Sequence, residues 1–271
     1  MEENRDEGMI AGRNAVIEAL RAGVAIDKVF IAKGGADSTL RYIASAAREA
    51  GTVVVEADRR KLDSMIEAHG GEYSGERSGG YAHEAARKYA HQGVIAMAAC
   101  AEYVTVGDIL EAARDKNEAP MIVLCDGISD PHNLGAIIRT CEAAGAHGVV
   151  IPKRRSAGLG ATVAKTSSGA VYHLPVARVT NITAAVAELK KSGVWVFGAS
   201  AGGETPVWQA DFKEPCAFVV GAEGAGISRL VNDNCDFRVS IPMFGKISSL
   251  NASVSAAILV YEAVRQRRSG K

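Results

Sequence analysis

The sequence lacks a net charge, long hydrophobic runs and paired cysteines. Its 271 residues include 31 basic and 31 acidic side chains, and a zero balance disfavours a protein that coats nucleic acid by bulk charge. The longest apolar runs, such as Ala217–Val220, are far too short to span a membrane, and the first residues are acidic, unlike a signal peptide. We therefore expect a cytoplasmic protein with no membrane partner, in which any nucleic-acid site is a local patch.

Metal sites are also disfavoured. The five cysteines are widely spaced, with no Cys-x-x-Cys pair and no histidines at zinc-ligand spacing, so we interpret them as reduced thiols that lie mostly in the core. Two basic runs, Lys153–Arg155 and Arg265–Arg268, are candidates for a local patch. Such runs are often only solvated loops and helix ends, and charge alone favours this interpretation over a contact with nucleic acid.

What the chain does contain predicts two domains, since 48% hydrophobic content over this length can bury a substantial core. Residues 1–100 alternate short strands with amphipathic helices and predict a smaller α/β domain, in which the glycine-rich segment 70–80 predicts a mobile loop. Residues 101–118 predict one short helix within a linker. Residues 119–271 alternate apolar strands with helices, which predicts an open parallel sheet.

Three segments of the last third look like tight turns that follow strands: Gly221–Gly226, Ile241–Met243 and Ser248–Ser255. Ligands of open α/β sheets bind beyond the carboxyl ends of the strands, so these turns predict a binding site. The glycine order in Gly221–Gly226 does not fit G-x-G-x-x-G, and no Walker A lysine follows, which makes a nicotinamide enzyme the least favoured alternative. Alone, this glycine-rich segment would more often be only a turn.

In combination, the motifs resemble a known family. Asp130–Thr140, Gly221–Gly226, and Ile241–Met243 with Ser249–Ser253 are similar, in order and spacing, to three motifs of the SpoU (TrmH-like) branch of the SPOUT RNA 2'-O-methyltransferases. The most similar group methylates guanosine in 23S ribosomal RNA. Met9–Val16 and residues 91–94 resemble the substrate domain of that group, although the segment 70–89 is longer than expected there.

The resemblance implies a mechanism and an architecture. It implies S-adenosylmethionine as the methyl donor, ribosomal RNA as the substrate, no metal, a homodimer and a deep trefoil knot, a rare exception to the rule against threaded chains. By this resemblance the expected catalytic residues are Asn133, Arg139, Glu223, Asn251 and Ser253. The expected cofactor contacts are Gly198, Gly221, Ile241, Met243, Ser249 and Leu250. The basic run Lys153–Arg155 and the resemblance together predict RNA contacts at Arg13, Asn14, Lys153, Arg154, Arg155 and Lys165.

Individual roles can be narrowed by chemistry. A guanidinium stays protonated in proteins, so we expect Arg139 to stabilise the incipient alkoxide and clamp the adjacent phosphate, and not to act as a base. In the family, this arginine reaches the partner subunit's cofactor. Glu223 could act in catalysis, or could cap a helix or orient neighbouring groups. Asn251 and Ser253 could simply cap the last helix.

Two other functions stay open at this point. The chain could methylate transfer RNA or a different ribosomal-RNA nucleotide, although relatives acting on transfer RNA often lack the N-terminal domain. It could also be an RNA-binding ribosome assembly factor without activity. The presence of all five expected catalytic residues favours an enzyme.

Overall fold

The structure is a computed structural model that describes residues 8–34, 37–68 and 91–268. The predicted loop at 70–80 lies outside the described residues. The chain divides into two compact units, residues 1–100 and residues 101–271.

In its described residues, the N-terminal unit is a four-stranded mixed sheet covered by helices. Its elements are β1 (Met9–Ala11), α1 (Arg13–Arg21), β2 (Ile26–Ala32), α2 (Ser38–Glu49), β3 (Val53–Ala57), α3 (Arg59–Ala68) and β4 (Val94–Ala98). The strand order is β1–β4–β2–β3, with β2 and β3 parallel and β4 antiparallel to both its neighbours. Consecutive residues of β4 face opposite sides of the sheet. Ala96 packs in one core with α1 and α2, and Ile95 packs in another core with α3. The sequence interpretation missed β1, which is only three residues long.

The C-terminal unit contains the predicted parallel sheet, which is confirmed. Its elements are α4 (Val106–Asp115), β5 (Met121–Asp126), α5 (Pro131–Ala143), β6 (Gly148–Pro152), α6 (Ala161–Thr166), β7 (Val176–Val179), α7 (Ile182–Lys191), β8 (Trp195–Ala199), β9 (Thr205–Pro206), β10 (Cys216–Gly221), α8 (Arg229–Asn234), β11 (Phe237–Ser240) and α9 (Ala252–Arg268). The seven strands are all parallel, in the order β7–β6–β5–β10–β8–β11–β9. All their carboxyl ends therefore lie at one edge.

Residues 101–118, predicted as a linker, are instead part of the C-terminal unit. Thr105 and Asp108 form a capping box that starts α4, whose Val106 and Ile109 are buried in the core of the seven-stranded sheet. A Cβ atom at Gly148 would lie 2.5 Å from the Ile109 side chain, so the glycine makes room for this helix. The apolar face of α4 makes it a component of the core.

The basic run at residues 265–268 is not simply a solvated helix end. Arg267 donates hydrogen bonds from Nη1 to the carbonyl of Ala119 at 2.7 Å, and from Nη2 to those of Pro120 at 3.0 Å and Glu214 at 2.8 Å. Its Nε donates to the carbonyl of Phe212 at 3.0 Å. Arg267 thus ties the end of α9 to the chain segments that precede β5 and β10, and we call these contacts the Arg267 anchor.

His147, the residue before β6, is buried and has a hydrogen-bond partner on each ring nitrogen. Its Nδ1 accepts a hydrogen bond from the Met121 amide at 3.1 Å, so its Nε2 carries the proton and donates to Glu118 at 3.1 Å. Burial lowers the pKa of His147 below its ordinary value, although the Glu118 carboxylate opposes this effect. The folded protein therefore favours the neutral ring.

We expect acid to destabilise the C-terminal unit through His147. A histidine with a lowered pKa in the folded state contributes its full stability above the unfolded-state pKa of about 6.5, and this stability is lost as pH falls below that value. The unfolding free energy can be measured with urea at about pH 8 and at about pH 5. Between these two pH values it should fall less in His147→Gln than in the wild type. The exposed His173 offers a control, because His173→Gln should keep the wild-type pH dependence. An identical loss in His147→Gln would exclude His147 as the cause.

Three cysteines, Cys125, Cys141 and Cys216, are buried, as expected of core thiols. Burial raises the pKa of Cys125 to about 12 and that of Cys216 to about 11, so both stay protonated at neutral pH. Within the described ranges, we find no helix with the length and apolar character needed to cross a membrane.

Candidate functional site

The sequence motifs meet at the carboxyl edge of the seven-stranded sheet. Gly221 ends β10, the loop 241–251 follows β11, and the segment 127–133 follows β5. Strand β10 lies between β5 and β8, and β11 is the next strand beyond β8. The parallel topology therefore collects at one edge three segments that are far apart in sequence.

The loop after β10 is closed on itself by backbone contacts. The Gly226 amide donates to the Ala222 carbonyl at 2.8 Å, and Gly224 and Gly226 adopt positive φ angles of 78° and 66°. A Cβ atom at Gly221 would lie 2.0 Å from the carbonyl carbon of Gly226, a distance that no side chain can accept. The loop requires glycine at these positions, and it holds Glu223 near its tip.

Three of the predicted catalytic residues form a closed triangle of hydrogen bonds. Asn133 donates from Nδ2 to Glu223 Oε1 at 3.2 Å, and Asn251 donates from Nδ2 to the same oxygen at 2.5 Å. Asn251 Nδ2 also donates to Asn133 Oδ1 at 2.9 Å. Asn133 is buried, whereas Glu223 and Asn251 are exposed. This Asn133–Glu223–Asn251 triangle joins the three motifs through their side chains.

Asn251 has a second task at the start of α9. Its Oδ1 accepts hydrogen bonds from the Ser253 amide at 2.9 Å and from Ser253 Oγ at 2.6 Å. This is the geometry of a helix N-cap. The two interpretations of Asn251 are therefore compatible, because one amide group caps the helix and holds the Glu223 loop.

Arg139 lies outside this triangle. It is exposed on α5, six residues beyond the buried Asn133, which corresponds to about 9 Å along the helix axis. Within residues 8–34, 37–68 and 91–268, no hydrogen bond or ion pair joins Arg139 to Glu223. The hypothesis that Glu223 orients Arg139 within one chain therefore has no support from these contacts.

The predicted cofactor residues line the same edge. Ile241, Met243 and Leu250 are half-buried in the loop 241–251, and Ser249 is exposed. Gly198 lies in β8, next to β10, and a Cβ atom there would meet Asn232 Oδ1 and Cys235 Sγ at 3.1 Å. These loops offer backbone amides, carbonyls and apolar side chains, which suit a nucleoside-like ligand.

One positioning residue at this edge was missed by the sequence interpretation. Asp126, the last residue of β5, accepts a hydrogen bond from the Ser228 amide through Oδ2 at 2.7 Å. Ser228 ends the segment that contains the glycine loop, so Asp126 fixes the far side of that segment. Only the β5–β10 pairing places these residues together, and an acidic residue at the end of a strand gives no such signal in sequence.

The predicted RNA contacts have different environments. Arg154 and Arg155 are exposed and Lys153 is half-buried in the loop after β6. This loop is joined to the segment before α5, because the Ala157 amide donates to the Ile128 carbonyl at 2.8 Å. The basic loop therefore adjoins the segment that carries Asn133. Lys165 is exposed on α6, which packs so closely on α5 that a Cβ at Gly135 would overlap Thr166.

Arg13 has a structural task in the N-terminal unit. Its guanidinium pairs with Asp37 at 2.7 Å and donates from Nε to the Gln92 carbonyl at 3.0 Å. These contacts join α1 to α2 and to the segment before β4. They leave fewer donors of the Arg13 guanidinium available to bind a phosphate. Asn14 is exposed beside it.

Among the described residues, no cluster of three or more His, Cys, Asp or Glu side chains could hold a metal ion.

Comparison with known proteins identifies the two units. Residues 120–261 match the model of the SpoU rRNA methylase family, and residues 9–71 match that of the RNA 2'-O ribose methyltransferase substrate-binding domain. YacO of Bacillus subtilis, named as a TrmH family tRNA/rRNA methyltransferase, is 41% identical over 258 residues, which cover 95% of each chain. A protein of the same description from Staphylococcus haemolyticus is also 41% identical, over 96% of each chain.

Solved structures agree. The SpoU methyltransferase AviRb from Streptomyces viridochromogenes, in complex with the cofactor AdoMet, is similar with a TM-score of 0.55 and 25% identity, over 97% of this chain and 91% of AviRb. The A. aeolicus TrmH/SpoU tRNA modifying enzyme matches with a TM-score of 0.52 and 27% identity, over 61% of this chain and 85% of that enzyme. The matched ranges include all the residues of the Asn133–Glu223–Asn251 triangle. The chain belongs to the SpoU (TrmH-like) family of RNA methyltransferases.

Proposed function

We propose that the protein methylates the ribose 2'-hydroxyl of a guanosine in large-subunit (23S) ribosomal RNA. The observation that carries the proposal is the Asn133–Glu223–Asn251 triangle, which joins the three family motifs at the carboxyl edge of the sheet. The match of the N-terminal unit to a substrate-binding domain supports a structured RNA as the substrate. The name of the matching family refers to ribosomal RNA, which supports this substrate, whereas the names of the relatives include both tRNA and rRNA.

The methyl donor is S-adenosylmethionine, and the residues at the edge of the sheet fit it. Gly221 lets the glycine loop close tightly against Gly226, and half-buried Ile241, Met243 and Leu250 can hold an adenine ring. The cofactor supplies an electrophilic methyl group on a sulfonium sulfur. No cation is needed to activate such a donor, so the task of the protein is to position the ribose and lower the cost of its deprotonation.

The side chains divide this task. Glu223 accepts two hydrogen bonds on one oxygen, from Asn133 and Asn251, and so holds the glycine loop in place. We infer that Glu223 is a positioning residue and that Ser253 contacts the substrate. Arg139 carries a fixed positive charge, and it can stabilise the alkoxide that develops at the 2'-oxygen and clamp the neighbouring phosphate.

The exposure of Arg139 supports a homodimeric site, in which this arginine serves the cofactor pocket of the partner subunit. Part of α9 is available for the interface. Leu259 and Val260 face the core of their own chain, but Val254 and Tyr261 stay 45% and 50% exposed. We propose that these two side chains contribute to the dimer contact.

We also propose that the C-terminal unit contains the deep trefoil knot expected from the family resemblance. Close backbone passages support it. A Cβ at Gly203 would lie 2.4 Å from the carbonyl carbon of Val239, so the loop after β8 crosses β11 without space for a side chain. Tracing the chain in a crystal structure tests the knot directly.

The activity is tested by incubation with labelled S-adenosylmethionine and unmodified transcripts of 23S rRNA, 16S rRNA and tRNA. We expect label in 23S rRNA, and mass spectrometry of its nuclease fragments should locate a methyl group on the ribose of one guanosine. Label in tRNA alone or in 16S rRNA alone would show that this RNA, and not 23S rRNA, is the substrate. A protein that binds these RNAs but transfers no label to any of them would be an assembly factor.

A further inference from the structure

One surface loop carries the two most exposed large hydrophobic side chains in the described part of the chain. Phe244 is 93% exposed and Ile247 is 67% exposed, and both lie between the half-buried Met243 and Leu250. Single exposed apolar residues are common on protein surfaces. A fully exposed phenylalanine beside an exposed isoleucine in a single short loop is different, because it creates an apolar surface that a ligand could cover.

The loop lies at the reaction site. It begins at the carboxyl end of β11 and ends at Asn251, which bonds to Glu223 and Asn133. A Cβ at Gly245 would meet no described atom within 4 Å, so the loop stands clear of the folded unit at Phe244. The loop and the Asn133–Glu223–Asn251 triangle are therefore joined through Asn251.

The composition of the loop favours RNA over protein as the occupant. Residues 244–249 contain an exposed lysine, Lys246, and two exposed serines, and they include no acidic residue. Lysine is depleted from the buried cores of protein interfaces, whereas a cation next to an aromatic ring is typical of surfaces that hold unpaired nucleotides. The ring can stack on a base while the lysine meets a phosphate.

The reaction itself requires a place for a base. RNA-binding proteins commonly splay out an unpaired base and stack it on an aromatic side chain. Among the described residues, Phe244 offers the most exposed aromatic ring, and it lies on a loop of the site.

We propose that Phe244 is a substrate-binding residue that stacks on the unpaired base of the target nucleotide, with Lys246 contacting the adjacent phosphate. The proposal rests on the proposed ribose methylation of RNA. The loop 244–249 would then contact the substrate, whereas its neighbours Met243 and Leu250 would contact the cofactor. Stacking is tolerant of sequence, so Phe244 would contribute affinity and positioning more than base identity.

Four variants test the proposal. Phe244→Ala and Phe244→Leu remove the ring, the second with most of the apolar volume kept, and Phe244→Trp keeps an aromatic face. Trp208→Ala is the control, since Trp208 is an aromatic residue that is 51% exposed outside this loop. Each variant is measured for KM and kcat with 23S rRNA transcripts, for the Kd of S-adenosylmethionine by calorimetry, and for mass by sedimentation.

We expect Phe244→Ala and Phe244→Leu to raise the KM for RNA about 5- to 100-fold, with cofactor Kd and mass unchanged. Phe244→Trp and Trp208→Ala should stay close to the wild type. Leucine that restores the wild-type KM would overturn base stacking. A lower mass in Phe244→Ala would identify the loop as a contact between two copies of the chain, and a weaker cofactor Kd would assign it to the cofactor.

A direct probe separates this inference from the proposed function. A short single-stranded RNA that contains 2-aminopurine reports stacking by loss of fluorescence, and it needs no methyl transfer. Quenching by the wild type but not by Phe244→Leu would support the stacking contact even if the 23S transcripts received no label. Equal quenching by both proteins would exclude it even if those transcripts were methylated.

Discussion

Replacing Arg139 with alanine is expected to lower kcat for ribose methylation about 100- to 1000-fold, because loss of a group that stabilises a developing oxyanion has effects of this size. The side chain is exposed and lies outside the Asn133–Glu223–Asn251 triangle, so its removal should leave the fold unchanged. Single-turnover methylation of the RNA substrate measures the effect. The matched control is Arg114→Ala, which removes an exposed arginine from α4 of the same unit.

Arg139→Lys separates charge from shape. Lysine keeps the positive charge but cannot form the planar, two-point contact of a guanidinium with phosphate. We expect a rate between those of the alanine variant and the wild type, with the same dependence on pH as the wild type. A pH profile that shifts in Arg139→Lys would instead indicate that this side chain accepts the proton, contrary to the role proposed above.

Mixed dimers test whether Arg139 acts across the subunit interface. Arg139→Ala is unfolded and refolded together with Gly221→Val, whose glycine loop cannot close against Gly226. If each site combines the arginine of one subunit with the glycine loop of the other, the mixture should regain about one quarter of wild-type activity by statistical pairing. If Arg139 serves its own chain, the mixed dimers contain no intact site, and the mixture stays inactive.

Replacing Arg267 with methionine is expected to lower the unfolding free energy of the C-terminal unit by about 3 kcal/mol, because several carbonyls then lose a charged donor. The Arg267 anchor includes the carbonyls of Ala119, Pro120, Phe212 and Glu214. Methionine retains the apolar stem but donates no hydrogen bond. Urea unfolding followed by circular dichroism measures the loss.

The neighbouring arginine provides the control. Arg268 is exposed, so Arg268→Met should change the unfolding free energy by less than about 0.5 kcal/mol. Arg267→Lys should be intermediate, since an ammonium group has fewer donors than the guanidinium. Equal stabilities of Arg267→Met and Arg268→Met would mean that the carbonyls find water as an adequate partner.

Much of this fold and site was accessible from sequence because its signals are local. Apolar strands between helices predicted the parallel sheet, and ordered motifs predicted which segments meet at its edge. Asn133, Glu223 and Asn251 do meet there through hydrogen bonds. The pairing itself was not predictable, since side-chain partners depend on strand order.

The features that sequence missed all depend on distant partners. The run Arg265–Arg268 is typical of a solvated helix end, and nothing in it indicates that Arg267 alone reaches the carbonyls near Pro120. Residues 101–118 resemble a linker in length and polarity, but the apolar face of α4 fits a space left by Gly148. Asp126 gains its partner, Ser228, only when β5 pairs with β10.

The Arg267 anchor also has a consequence for synthesis on the ribosome. The N-terminal unit has its own cores and can fold as soon as β4 leaves the exit tunnel. The C-terminal unit cannot close in the same way, because the segment before β5 waits for a side chain that is translated almost 150 residues later. The nascent chain would therefore present a finished RNA-binding unit while its methyltransferase unit is still open.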